Sequence, residues 1–137
     1  MFYDKFKPEE LTIKEFNHWV VLLREKQQTL GDVVILLKNE KASISLATAE
    51  EFAEFPTVVK WYEEKCKQLF NSEKFNYNCA MMKDNYVHFH AFARYSGSRS
   101  FAGVEWEDVD WPRPISKAVP AEFTEDIKNA LLNAFRD

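Results

Sequence analysis

At 137 residues and 46% hydrophobic content, the chain is sized for a single domain with a substantial core. Its formal charge of −4 argues against a general nucleic-acid binder that works by neutralising phosphates. Its 3 Gly argue against the glycine-rich phosphate loops of P-loop and dinucleotide-binding folds.

Met1 to Glu10 is charged and has no apolar run, unlike a secretory leader. No stretch reaches the roughly 18 apolar residues of a membrane span. Cys66 and Cys79 form neither a disulfide framework nor a close metal pair, so they read as thiols of a reducing compartment. A cytoplasmic protein without membrane contact is expected.

Phe16 to Leu23 is aromatic and β-branched enough for a strand, and Gln27 to Gly31 connects it to a second strand, Val33 to Leu37, as a hairpin. Thr48 and Glu51 have capping-box spacing, so a helix is expected to start there. Phe52, Phe55, Val59, Tyr62, Cys66, Leu69 and Phe70 then recur at helical steps and form the stripe that covers the sheet. Pro56 falls inside this pattern, so either a kink occurs there or the regular helix begins near it.

Phe75 to Met82 and Tyr86 to Tyr95 flank Lys83-Asp84-Asn85, a polar break suited to an antiparallel hairpin at about 75–95. The segment at about 96–120 holds Gly97, Gly103, Pro112, Pro114, Pro120 and two Trp, and reads as an ordered irregular excursion. Its acidic run, Glu105 to Asp110, lacks the ligand spacing of a calcium hand and reads as a solvated loop. A C-terminal helix at about 121–136 presents Ile127, Leu131, Leu132 and Phe135 on one face. The class is α+β, an antiparallel sheet with a long helix packed on it and a C-terminal helix, in one domain over 1–137.

The run Tyr86-Val87-His88-Phe89-His90-Ala91-Phe92-Ala93-Arg94-Tyr95 carries the chemistry. On a strand, Tyr86, His88, His90, Phe92 and Arg94 project from one face while Val87, Phe89, Ala91 and Ala93 pack inward. Two imidazoles and a guanidinium then share a surface suited to a phosphorylated substrate. By spacing alone, a His-x-His pair is as readily structural as catalytic. His18 has no partner motif and no assigned role.

This run resembles the signature of the histidine-triad family, in which alternating histidines and hydrophobics end in an apolar-Pro-Arg segment. Counting back from Arg94 puts the family's last histidine at His90, its middle one at His88 and its first at Tyr86. A first position that is not His resembles the diadenosine-tetraphosphate-hydrolase-like branch. Thr29-Leu30-Gly31 before an apolar strand and Phe75-Asn76-Tyr77 before the motif agree in order, so the similarity spans Trp19 to Pro112.

The resemblance implies a histidine-triad fold, a homodimer, no cofactor or metal, and a small nucleotide as substrate. It makes His88 the nucleophile at the α-phosphate of a dinucleoside polyphosphate or nucleoside phosphoramidate, giving a nucleotidyl-histidine that water resolves. His90 then contacts the phosphate and assists the leaving group. Arg94 binds substrate or serves as a salt-bridge partner. Tyr86 retains one hydrogen-bond donor where the first histidine stood, and Ala93 replaces the usual Pro. Arg24 stands where relatives often carry a ribose-binding Asp or Asn, and either pairs with a distal phosphate or faces solvent. Lys83 either adds charge near the scissile phosphate or is solvated.

Two other readings stand beside this one. The substitutions at Tyr86, Ala93 and Arg24 fit a nucleotide-binding or interaction module without catalysis. Alternatively, His88 and His90 with a carboxylate such as Asp84 form a two-His metal site.

Overall fold

The computed structural model describes residues 2–137, so Met1 of the charged N-terminal stretch lies outside it. The chain opens with a 3-10 turn, Phe2–Phe6, and a short helix α1, Pro8–Leu11. Five strands follow in one antiparallel sheet: β1 (Thr12–Glu15), β2 (Trp19–Leu23), β3 (Val33–Leu37), β4 (Lys74–Asn78) and β5 (His88–Arg94). Their order is β1-β2-β3-β5-β4, which sets the histidine strand between β3 and β4. A two-stranded hairpin, β6 (Arg99–Phe101) and β7 (Val104–Trp106), stands apart from this sheet. Helix α2 (Ala49–Phe70) lies between β3 and β4 in sequence, and α3 (Glu125–Arg136) closes the chain. The predicted α+β architecture is the one observed.

Strands β2 and β3 are buried along their whole length, since both faces of the sheet are covered there. On one face lies α2. Its Thr48–Glu51 capping box forms as predicted, and the helix runs unbroken through Pro56 rather than beginning there. Val58, not Val59, is the fully buried member of its stripe, beside Tyr62, Cys66 and Phe70. Phe55 packs on Trp19 and Phe89 with ring centroids 4.8 Å away in each case, and the Tyr62 hydroxyl donates to the Gly31 carbonyl at 2.6 Å. Phe135 of α3 stacks on Tyr62 and meets Phe70 edge-on. Burying an aromatic or aliphatic side chain this fully contributes about 1.5–3 kcal/mol.

The connection from β2 to β3 is tied by one buried amide. Gln27 accepts from the Gly31 and Asp32 amides and donates to the Arg24 and Asp32 carbonyls. Gly31 adopts φ +96, and a Cβ there would come within 3.2 Å of the Phe70 ring, so the turn needs glycine.

Several boundaries differ from the sequence reading. The first predicted strand, Phe16 to Leu23, is shorter: β2 starts at Trp19, residues 16–18 including His18 form the turn before it, and an additional strand β1, which the sequence reading did not give, ends at Glu15. Strand β4 stops at Asn78 and β5 starts at His88, so the hairpin loop spans 79–87 instead of three residues. Cys79 therefore sits in that loop, half-buried, while Cys66 is buried on α2. The 96–120 excursion contains the β6–β7 hairpin, and α3 begins at Glu125 behind its Thr124 cap.

Candidate functional site

The alternation expected along the histidine strand holds. Phe89 points to α2 through Phe55, whereas His88, His90, Phe92 and Arg94 meet groups on the opposite face. Antiparallel pairing sets Leu36 across from His88 and Val34 across from His90. The two imidazoles lie with ring centroids 5.3 Å apart at 60°.

His88 is 1% exposed, and its Nδ1 lies 2.7 Å from the carbonyl oxygen of Tyr86. A carbonyl only accepts, so Nδ1 carries a proton, and Nε2 is the nitrogen that can present a lone pair. Tyr86 precedes β5 and holds His88 through its backbone oxygen.

His90 lines a cavity of about 230 Å³ together with Lys5, Phe6, Leu23, Arg24 and Val34. Burial first, then the Arg24 guanidinium and repulsion from a neighbouring imidazole, push its pKa down to about 4, with Asp84 opposing. The ring is neutral at physiological pH. Because the folded value lies below the unfolded value of 6.5, the unfolded chain binds more protons between about 4 and 6.5, and stability falls as pH falls through that window. We expect the His90 ring-proton resonances to titrate near pH 4, and the stability curve below pH 6.5 to flatten in His90→Gln. An NMR inflection near pH 6.5 would refute this environment.

Arg24 projects from the end of β2 into the same cavity. Its guanidinium donates to Gln28 at 2.8 Å, lies 3.8 Å from the buried Asp32 carboxylate and sits over the Phe92 ring at 5.5 Å. Burial pushes Asp32 up to about 7 against the Thr29 hydroxyl, the Thr29 and Gln28 amides, and Arg24. Its charge therefore offsets Arg24 only in part.

Arg94 is elsewhere occupied. It is 3% exposed; Nε and Nη2 donate to Asp108 at 2.6 and 2.9 Å, Nη1 to Asn76 at 2.6 Å and Nη2 to the Arg113 carbonyl at 2.6 Å. This buried pair joins the sheet to the 96–120 excursion. Lys83 is exposed in the 79–87 loop and is not part of the cavity wall. The structure thus brings His88, His90 and Arg24 together, takes Tyr86 in through its backbone, and leaves Arg94 and Lys83 outside the cavity.

Of the cavity lining, only His90 and Arg24 were read as site residues from sequence, and the N-terminal contribution was missed altogether. Lys5 and Phe6 come from the N-terminal turn, with Lys5 ion-paired to Asp84 and the Phe6 ring 6.1 Å from that of His88. The one available signal was Phe6, an apolar residue in a charged stretch. Among the described residues, no group of three or more His, Cys, Asp or Glu side chains is arranged to hold a metal ion, and no helix is long and apolar enough to cross a membrane.

No protein-family model matches the chain, and no curated protein sequence matches it. Solved structures do. A histidine triad protein from Marinobacter aquaeolei VT8 superposes with a TM-score of 0.75 at 18% identity, covering 97% of this chain and 90% of that one. One from Bradyrhizobium japonicum gives 0.73 at 16% identity, covering 96% and 92%. A hypothetical histidine triad nucleotide-binding protein from Sulfolobus tokodaii strain7 gives 0.72 at 14% identity, covering 98% and 88%. The chain has the fold of histidine triad proteins.

Proposed function

We propose that this chain is a nucleotide hydrolase or transferase that attacks the α-phosphate of nucleoside phosphate derivatives through a covalent nucleotidyl-His88. The observation that carries the reading is the Nδ1–H bond to the Tyr86 carbonyl, which leaves Nε2 as the nucleophilic nitrogen. In the first step the Nε2 lone pair forms a bond to phosphorus, and the bond from phosphorus to the leaving group breaks with its electron pair. The positive charge left on the ring is shared with the Tyr86 carbonyl through the proton on Nδ1. Water then attacks phosphorus and loses a proton to solvent, the N–P bond breaks with its electron pair returning to Nε2, and neutral His88 is restored. His90, neutral at pH 7, carries one ring N–H and donates it to the departing group. Arg24 supplies positive charge in the cavity.

Dinucleoside polyphosphates and nucleoside phosphoramidates are the proposed substrates. Membership of the diadenosine-tetraphosphate-hydrolase-like branch, a homodimer and a cytoplasmic location belong to the same proposal. Brief mixing with an adenosine phosphoramidate followed by intact mass spectrometry should reveal a transient adenylyl adduct. Absence of the adduct under turnover sinks the mechanism.

A second reading, binding without catalysis, is favoured by one observation: His88 is 1% exposed beneath Phe6. Nucleotide binding with neither adduct nor product supports that reading instead.

A further inference from the structure

We propose that the N-terminal turn, Phe2–Phe6, is a latch over the two histidines, released when a substrate phosphate takes Lys5 from Asp84. The proposal rests on the histidine-based reading above.

Cover is the first observation. His88 is 1% exposed with the Phe6 ring against it, and Lys5 and Phe6 wall the cavity in front of His90. That cavity, about 230 Å³, is smaller than the roughly 300–1,000 Å³ that small-molecule sites occupy. The cavity opens to solvent beside His90, but in-line attack by His88 does not fit its 1% exposure. A wall has to move.

The fastening is the second. Lys5 on the latch pairs with Asp84 in the 79–87 loop, and their side chains are 45% and 23% exposed. A pair this wet holds weakly and exchanges partners readily. A phosphate ester offers Lys5 more charge and more acceptor oxygens than one carboxylate does. Asp84 is near enough to His88 and His90 to couple to them electrostatically, so its release leaves a carboxylate close to the imidazoles.

The hinge is the third. Lys7 is a non-glycine residue at φ 51, ψ 59, directly before Pro8. Left-handed backbone at such a residue carries a strain that marks Lys7 as the place where the segment can pivot. Beyond the hinge the chain is anchored: Leu11 is buried in the core, and Arg136 donates to the carbonyls of Glu10 and Thr12 at 2.9 Å each. Motion is thereby confined to the Phe2–Phe6 turn.

The test is residue-resolved carbethoxylation by diethyl pyrocarbonate, read by peptide mass spectrometry, with half-buried His18 in the β1–β2 turn as internal reference. In the wild type His88 should react more slowly than His18. Phe6→Ala should raise the His88 rate at least about fivefold and Lys5→Met about two- to threefold, with His18 unchanged, as a shift in the open population requires. In the wild type, added inorganic pyrophosphate should speed amide exchange across residues 2–7.

Unchanged His88 rates in both variants overturn the latch, as does equal acceleration of His18, which would mean general loosening. Unchanged amide exchange overturns the phosphate trigger. A latch that opens while no adenylyl adduct ever forms sinks the enzymatic reading alone. An adduct formed with no change in His88 reactivity sinks the latch alone.

Discussion

His88→Asn should form no adenylyl adduct and should lose at least about 10³-fold in turnover, because no other group takes over when a covalent nucleophile is removed. Asn is the informative replacement. Its amide N–H reaches toward the Tyr86 carbonyl that His88 satisfies through Nδ1, so the buried acceptor keeps a donor while nucleophilic Nε2 disappears. His90→Asn should behave differently. It should still accumulate the adduct, with turnover lowered by about 10²-fold, since it removes help to the leaving group and not the bond-forming atom. Intact mass spectra and single-turnover rates of the two variants separate these roles. An adduct that forms on His88→Asn at the wild-type rate would place the nucleophile elsewhere.

Arg94→Met should cost about 3–5 kcal/mol in urea denaturation, the penalty for leaving one partner of a buried ion pair alone. The Asp108 side chain is fully buried and depends on two Arg94 donors, and it also accepts from the Tyr95 amide at 3.1 Å. Removing the guanidinium strands that carboxylate and also deprives Asn76 and the Arg113 carbonyl of a donor. Arg94→Met combined with Asp108→Leu should recover part of the loss, because the stranded charge goes with its partner. A cost below about 1 kcal/mol would show a pair no stronger than a surface one. With these partners, Arg94 acts as a strut between sheet and excursion; its donors face protein groups.

Local signals read well from sequence. Trp19 to Leu23 and Val33 to Leu37 were legible because β-branched and large apolar residues end at a charge on each strand. The α2 start was legible because Thr48 and Glu51 satisfy each other's amides within four residues. The His88–His90 face followed from alternation alone. What escaped was set by distant partners. Strand β1 is short and half-charged, and only pairing with β2 makes it a strand. Asp108 lies 14 residues from Arg94, inside an acidic run that reads as solvated. The N-terminal turn has no periodicity of its own, and Phe6 has a role only where it meets His88. The 79–87 loop read as a tight turn, because nothing in Lys83-Asp84-Asn85 reveals that Val87 is held by the Lys41 carbonyl.

The full burial of β2 and β3 bears on how the chain must be made. Each is a five-residue apolar run without charge or proline, the composition that drives cross-β aggregation if left uncovered. During synthesis both emerge before α2, which shields one of their faces, has been translated. Arg24 and Lys38 directly follow the two runs and Asp32 directly precedes the second, so charge interrupts stacking between nascent chains. Arg24 would then guard solubility as well as line the cavity, and replacing it with an apolar residue would lower expression before any assay could register a change in binding.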